Sequence, residues 1–290
     1  MAFSRTFDDD HKVTEGALRW SRQPAGLALV AGALLCLAPA PAFAQVAQPG
    51  AQPPQAAAPP RADGRRTMGL LLANLGRDVV GVFATESLRP LLIGSAATGV
   101  AAIFDDEISD AIGDPESDFG RVGDAAGGGF VVGGVVTALF VAGRLSDHQR
   151  FRDATYDLLT GTLVTQAYSL VIKVAVNRTR PSGSTSRIDS SFPSGHSSTS
   201  FAMATVLERH YGWKAGVPGY AVASLIAASR VRYDHHYLSD VVAGSTLGII
   251  VGRAAVRTNS KPLPASNGAR RASLSISPVG RVGLQVAIVF

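Results

Sequence analysis

The chain has 290 residues, of which 46% are hydrophobic and 17% charged, and its formal net charge is +5. This length suits one compact domain with tails, and a single cysteine, Cys36, excludes a disulfide framework. The mild positive balance fits an anionic substrate or a membrane surface, whereas the absence of a basic run or an aromatic-interleaved basic patch argues against nucleic acid as a partner.

The N-terminal residues 1–44 have the pattern of an export signal peptide. Two arginines precede an apolar run over residues 25–38, and the small-x-small sequence of residues 42–44 follows it. The run is shorter than the roughly 20 residues that a membrane span needs; an uncleaved membrane anchor is the alternative. We therefore expect an exported protein, periplasmic or associated with the cell envelope, in which residues 45–66, rich in Pro, Ala and Gln, form a disordered linker.

Apolar segments with helix-like content and no strand alternation follow the linker. They predict an all-α domain over residues 67–258. The segments are Met68–Phe83, Leu91–Phe104, Gly129–Arg144, Tyr156–Asn177, Ser197–Tyr211, Ala215–Arg230 and Leu238–Val256.

The segment Asp105–Asp124 between these blocks is acidic and contains Gly and Pro. It lacks the spacing of a calcium-binding loop, and we predict a solvated loop with at most one short helix. In the last helical segment, Gly244, Gly248 and Gly252 recur every four residues, which leaves one helix face bare for close packing. The uncharged windows of the helical segments are mostly too short for a membrane span, which favours a soluble, tightly packed domain with peripheral membrane contact over a polytopic one.

The C-terminal residues 259–290 change in character. A Pro/Ser linker comes first, and two alternating segments, Ser273–Ser277 and Val282–Phe290, flank the turn residues 278–280. This pattern predicts a short β-hairpin.

Three short blocks carry the chemistry. Lys173 and Arg180 lie seven residues apart, so a helix would place both on one face, and Pro181 marks a helix end. The turn from Pro193 to His196 precedes an apolar run, and a glycine-containing turn that opens a helix offers free N–H groups to an anion.

The third block contains Ser229, Arg230, His236 and Asp240. His236 and Asp240 are four residues apart, so one helical turn would bring the carboxylate to the imidazole. Taken singly, each block has an ordinary structural explanation: a solvated basic helix face, a loop-to-helix turn, or a surface ion pair. The two adjacent histidines, His235 and His236, lack a third ligand at metal-binding spacing, so we expect no metal.

In this order the three blocks resemble the signature of the type 2 phosphatidic acid phosphatase and vanadium haloperoxidase superfamily, KxxxxxxRP, PSGH and SRxxxxxHxxxD. The resemblance covers roughly residues 155–257 and shows no departure at the signature positions. It implies a helical bundle in which the blocks converge from helix ends onto one oxyanion pocket.

The resemblance also implies a role for each matching residue. The side chains that hold the phosphate oxygens would be Lys173, Arg180, Ser194 and Arg230, together with the backbone N–H of Gly195. His236 would be the nucleophile, oriented by Asp240, and would form a phosphohistidine. His196 would protonate the leaving alkoxide and then activate water. Three cations and a helix dipole would neutralise the phosphoryl group, so no cofactor is required, and vanadate would bind as an inhibitor.

We therefore expect a metal-independent phosphatase that hydrolyses a phosphate monoester, either a lipid phosphate or a small soluble phosphoester. Two alternatives stay open at this point: a vanadium-dependent haloperoxidase that uses the same pocket, and a non-enzymatic phosphate-binding protein of the envelope. Arg232 and His235 neighbour the signature and are expected at most at the rim of the site.

Overall fold

The structure is a computed structural model, and it describes residues 63–183, 186–262, 273–279 and 283–289. These residues form nine α-helices, two single 3-10 turns at Met68–Leu70 and Thr85–Ser87, and one antiparallel hairpin. The helices are α1 (Leu71–Gly81), α2 (Leu88–Ile103), α3 (Asp105–Ile112), α4 (Asp118–Gly127), α5 (Gly129–Leu145), α6 (Gln149–Val176), α7 (Gly195–Tyr211), α8 (Trp213–Arg232) and α9 (Leu238–Ser260). The predicted all-α class is confirmed, and each predicted helix is present.

The acidic segment is a place where the predicted secondary structure was wrong. It forms two helices, α3 and α4, instead of a solvated loop with one short helix. The first turn of α3 contains three acidic residues, whose negative charges are stabilised by the positive end of the helix dipole, and Ser117 caps α4 by accepting a hydrogen bond from the N–H of Gly120. Gly113 and Pro115 lie in the short connection between the two helices, whereas Gly120 and Gly123 lie at close packing contacts of α4.

The glycine face of α9 packs against α7, as the four-residue spacing predicted. A Cβ at Gly244 would lie 2.5 Å from the carbonyl oxygen of Ser194, and one at Gly252 would lie 2.8 Å from the carbonyl oxygen of Ala202. A Cβ at Gly248 would meet the backbone of α7 as well. The backbones of the two helices are therefore in direct contact, which fixes the start of α7 against the first turns of α9.

The far end of the same helices is held by a buried polar cluster. Asp157 of α6 is fully buried; it accepts two hydrogen bonds from Arg66, at 3.0 and 2.7 Å, and lies 2.8 Å from Nε2 of His210. Asn259 of α9 donates to the same carboxylate at 3.0 Å. The folded part of the chain therefore includes residues 63–66, which the sequence analysis had assigned to the linker.

Two helices among the described residues, α6 and α9, are long and apolar enough to cross a membrane by length and composition, and up to four spans result if two bent helix pairs are counted. The preference for a soluble domain rested on uncharged windows. The helix α6 is 28 residues long and extends well beyond its uncharged window, residues 158–172. Large apolar side chains are also exposed on several helices, among them Val80, Ile103, Phe130, Val171 and Trp213.

The hairpin consists of β1 (Ser273–Val279) and β2 (Gly283–Val289), with Ser273 paired to Val289. The hairpin prediction is confirmed, although Pro278 and Val279 belong to the first strand and not to the turn. The predicted signal peptide and most of the two predicted linkers lie outside the described residues.

Candidate active site

The middle block forms the N-terminus of α7. Ser194 is the N-cap: its buried hydroxyl accepts a hydrogen bond from Oγ of Ser197 at 3.0 Å, and its N–H donates to the carbonyl oxygen of Asp240 at 3.0 Å. The first N–H groups of a helix have no intrahelical acceptor, and a Cβ at Gly195 would meet no heavy atom within 4 Å. The helix start therefore combines free N–H donors with open space, as a site for an anion requires.

The first block lies at the end of α6. This helix ends at Val176 because Asn177 adopts a left-handed conformation with φ 49°, so Lys173 and Arg180 do not share a helix face as predicted. The loop after the helix brings them together instead. Both are buried: Lys173 donates to the carbonyl oxygen of Ser190, and Arg180 donates to that of Asp189 at 2.9 Å.

The third block spans the connection from α8 to α9. Arg230 lies in the last turn of α8 and is 1% exposed. His236 lies before Tyr237, the N-cap of α9, so it is not part of that helix as predicted. Its Nδ1 is nevertheless 3.8 Å from Oδ2 of Asp240. This distance is too long for a hydrogen bond. The ring is nevertheless oriented with Nδ1 on the side of the carboxylate, so that Nε2 lies on the opposite side of the ring.

The carboxylate of Asp240 is fully buried and accepts hydrogen bonds from three further donors. They are Oγ of Ser191, the N–H of Tyr237 at 2.9 Å and the guanidinium of Arg178 at 2.8 Å. Charge-assisted hydrogen bonds of this kind favour the ionised form. Asp240 is thus a fixed negative charge beside His236.

The electrostatics of His236 indicate that residues of the first and third blocks lie close together. Burial, with the positive charges of Lys173, Arg180 and Arg230, lowers the pKa of His236 to about 3 against the opposing effect of Asp240. Three cations from two distant blocks therefore lie close enough to act on one imidazole. The same effect keeps the ring neutral at physiological pH, which is the state in which a histidine can act as a nucleophile.

Two buried nitrogen atoms in this region have no hydrogen-bond partner among the described residues, Nε of Arg230 and Nδ1 of His236. An unpaired buried donor costs about 1–3 kcal/mol, so such atoms are usually explained by a missing ligand or a functional role. A donor on Arg230 beside the open N-terminus of α7 matches an oxyanion. The arrangement is therefore suited to bind a phosphoryl group next to a neutral imidazole.

His196 follows Gly195 in the first turn of α7. Its Nε2 lies 3.2 Å from the carbonyl oxygen and 3.5 Å from Oδ1 of Asp124, and its side chain is 21% exposed. Burial lowers the pKa of His196 to about 4, with further contributions from the charges of Arg230 and His235. The structure thus places His196 beside the cation cluster, with a carboxylate at its outer nitrogen.

Four further residues, which the sequence patterns did not predict, contact the candidate site residues. Asp124 of α4 binds Arg230 at 2.7 Å. Arg178 bridges Asp240 and Asp105, and Asp105 also accepts from the N–H of Ser239 at 2.8 Å. The fourth residue, Ser191, donates a hydrogen bond to Asp240. Arg178 and Ser191 lie within or beside the signature blocks, but the two aspartates lie in the segment interpreted as a solvated loop, where no local pattern distinguishes them.

The two residues expected at the rim differ in position. Arg232 pairs with Asp114 at 2.8 Å, away from the cation cluster, whereas His235 stacks on Tyr233 with ring centroids 4.7 Å apart and acts electrostatically on His196. Among residues 63–183 and 186–262 no group of three or more His, Cys, Asp or Glu side chains could hold a metal ion.

The region that contains the three blocks is similar to known proteins. Residues 154–263 match the model of the PAP2 superfamily, which confirms the resemblance inferred from the three blocks. A lipid A 1-phosphatase of Porphyromonas gingivalis is 41% identical over 83 residues, or 28% of this chain and 18% of the relative. A PA-phosphatase related-family protein of Dictyostelium discoideum is 30% identical over 127 residues, or 35% of this chain and 47% of the relative. The aligned region thus spans less than half the length of each relative.

Two solved structures match part of the chain. A transmembrane PAP2-type phosphatidylglycerolphosphate phosphatase of Bacillus subtilis covers 61% of this chain and 94% of its own, with 21% identity and a TM-score of 0.47. LpxE of Aquifex aeolicus covers 53% of this chain and 95% of its own, with 21% identity and a TM-score of 0.44.

Proposed function

We propose that this chain is a phosphatase of the PAP2 superfamily that hydrolyses a phosphate monoester through a phosphohistidine intermediate. The observation that carries the proposal is the convergence of three buried cations, Lys173, Arg180 and Arg230, on the fully buried and neutral imidazole of His236. A site that only bound phosphate would need the cations and the helix N-terminus. It would not need a neutral nucleophile beside a fixed carboxylate.

In the first step, the three cations and the N–H of Gly195 hold the non-bridging phosphate oxygens, and Nε2 of His236 attacks phosphorus. The P–N bond forms as the bond to the leaving oxygen breaks, and His196 donates a proton to that oxygen. Asp240 stabilises the positive charge that develops on the imidazole of His236. Because the transferring group is neutralised by the cations and the helix N-terminus, no step depends on a metal.

In the second step, a water molecule attacks phosphorus and His196, now neutral, accepts its proton. The P–N bond breaks, and inorganic phosphate is released with both histidines restored. Each step needs the opposite protonation state of the same general acid–base group, so one histidine serves both.

A lipid phosphate is the substrate class that we infer. The two membrane-length helices and the exposed apolar side chains support residence in a bilayer, where a lipid head group would reach the site. The names of the curated relatives, a lipid A 1-phosphatase and a PA-phosphatase related protein, point the same way. Export to the periplasm or cell envelope, inferred from the N-terminal signal, belongs to the same proposal.

The test is the release of inorganic phosphate by purified protein in detergent micelles, with p-nitrophenyl phosphate and with a dioleoyl phosphatidic acid as substrates. We expect His236→Ala to lose at least about 100-fold in kcat, whereas His148→Ala, a change at an exposed histidine before α6, stays at the wild-type rate. An acid-labile phosphoenzyme should accumulate in the wild type alone. Activity of His236→Ala within a few-fold of wild type would refute the nucleophile assignment.

The effect of vanadate distinguishes the proposed phosphatase from the alternative, a haloperoxidase with the same signature. We expect vanadate to inhibit phosphate release, because it mimics pentacoordinate phosphorus. Peroxide-dependent oxidation of bromide by the vanadate-loaded protein, without phosphatase activity, would favour the haloperoxidase. Recovery of the chain in the soluble periplasmic fraction, with activity on soluble esters alone, would contradict the lipid substrate.

A further inference from the structure

Asp124, in the last turn of α4, contacts two residues of the proposed mechanism at once. Its Oδ1 accepts a hydrogen bond from Arg230 at 2.7 Å and lies 3.5 Å from Nε2 of His196. The side chain is 47% exposed, whereas that of Arg230 is 1% exposed. One carboxylate at the open side of the site therefore faces both a phosphate ligand and the proton donor.

Close packing of α4 fixes this position. A Cβ at Gly127 would lie 3.1 Å from Cγ of His196, and a Cβ at Gly123 would overlap the hydroxyl of Ser229. Both glycines must therefore lack a side chain for α4 to approach α7 and α8 this closely. Asp124 lies between them in the sequence, so its backbone is held and only its side chain is free to turn.

The charges around His196 conflict with the role of a proton donor. Its pKa is lowered by burial and by the charges of Arg230 on α8 and His235 in the following loop, and Asp124 on α4 opposes them. A general acid must carry its proton before the leaving group departs. The Asp124 carboxylate is engaged by Arg230, which leaves His196 without a full counter-charge.

We propose that Asp124 is a positioning residue that exchanges partners when phosphate binds, leaving Arg230 to the phosphate oxygens and pairing with Nε2–H of His196. The exchange needs a shift of only about 0.7 Å from 3.5 Å to the usual length of a charge-assisted hydrogen bond. This inference rests on the proposed function, because it assigns the exchange to the first chemical step.

That step needs no proton donor or acceptor beyond these residues and the substrate. The imidazolium of His196 keeps Nε2–H on Asp124 and transfers the proton of Nδ1 to the leaving oxygen, while Nε2 of His236 forms the bond to phosphorus. Asp124 stays ionised throughout. In the second step Nδ1 of His196 takes a proton from water, and Asp124 again stabilises the imidazolium that results.

The test compares Asp124→Asn with Asp118→Asn, a change on the same helix at an exposed acid that pairs with the exposed Arg121. An alkyl phosphate needs a proton on its leaving oxygen, whereas p-nitrophenolate leaves without one. We expect Asp124→Asn to lose about 100-fold in kcat/KM on the alkyl phosphate and only a few-fold on p-nitrophenyl phosphate. The basic limb of its pH profile should move to lower pH.

Binding of inorganic phosphate, measured by calorimetry, gives a readout that a purely structural role would not produce. We expect Asp124→Asn to bind phosphate at least as tightly as the wild type, because Arg230 loses a competing carboxylate, and Asp124→Glu to restore part of the activity on the alkyl ester. Equal losses on both esters together with weaker phosphate binding would overturn the inference, and so would behaviour identical to that of Asp118→Asn. If the wild type released no phosphate from either ester, the proposed function itself would fail, and the inference with it.

Discussion

Gly244 gives the most direct test of the link between helix packing and the site. It belongs to the glycine face of α9, and an added Cβ would lie 2.5 Å from the carbonyl oxygen of Ser194, the N-cap of α7. Ordinary contact begins near 3.4 Å, so Gly244→Ala forces the two backbones apart by about 0.9 Å. The displaced atoms directly precede Gly195 and His196.

The substitution should therefore reduce both stability and activity. Overpacking costs about 1–3 kcal/mol, and the gain of up to about 1 kcal/mol in helix propensity offsets only part of it. A shift approaching 1 Å between the proton donor and the nucleophile lowers kcat by about 10- to 100-fold. We expect the thermal midpoint to fall by several degrees, because each kcal/mol corresponds to about 2–4 °C in a domain of this size.

Gly99→Ala is the matched control. Gly99 lies inside α2, and a Cβ there would meet no heavy atom within 4 Å. The same chemical change should then raise the thermal midpoint by a few degrees through helix propensity alone and leave kcat unchanged. Thermal unfolding followed by circular dichroism in detergent, with phosphate release on the same samples, measures both effects. A stable and fully active Gly244→Ala variant would show that the α7–α9 contact does not set the site.

Three further predictions concern charge. Arg178→Gln removes a hydrogen bond to Asp240, so kcat should fall about 10- to 100-fold with little change in KM. An equal loss of kcat in Arg178→Lys would argue against a specific role of the guanidinium in bridging Asp240 and Asp105. Burial lowers the pKa of His196 to about 4 and of His236 to about 3. Because the unfolded chain binds more protons at these two histidines below about pH 6.5, their contribution to stability is lost as the pH drops from 6.5 to 4, whereas the pKa of Asp78, raised to about 6, acts in the opposite direction. A thermal midpoint that changes over this range in His196→Gln as it does in the wild type would contradict the His196 value. Asp157→Ala removes the buried carboxylate that binds Arg66 and His210, although Arg66 keeps Asp153 at 3.7 Å. Breaking this buried pair should cost about 3–5 kcal/mol, with phosphate release at low temperature largely retained; a change in the midpoint of under 2 °C would refute this.

Local sequence patterns were sufficient to predict several features of this protein. Apolar content gave every predicted helix, and the spacing of Gly244, Gly248 and Gly252 gave the face that meets α7, because each helix repeats its faces every 3.6 residues whatever surrounds it. The three blocks likewise identified the residues of the candidate site. They did so through their resemblance to a family signature, and their residue types suit an oxyanion, which needs cationic donors around it.

Only the tertiary structure decided how those residues meet and what surrounds them. Lys173 and Arg180 converge through a left-handed turn at Asn177 and not along a helix face, and His236 precedes the helix that holds Asp240. In the sequence, Asp124 does not differ from the other acidic residues of its segment, because its place in the site depends on a hydrogen-bond partner 106 residues away. Burial and long-range pairing depend on which helices pack together, and no window of sequence contains that information.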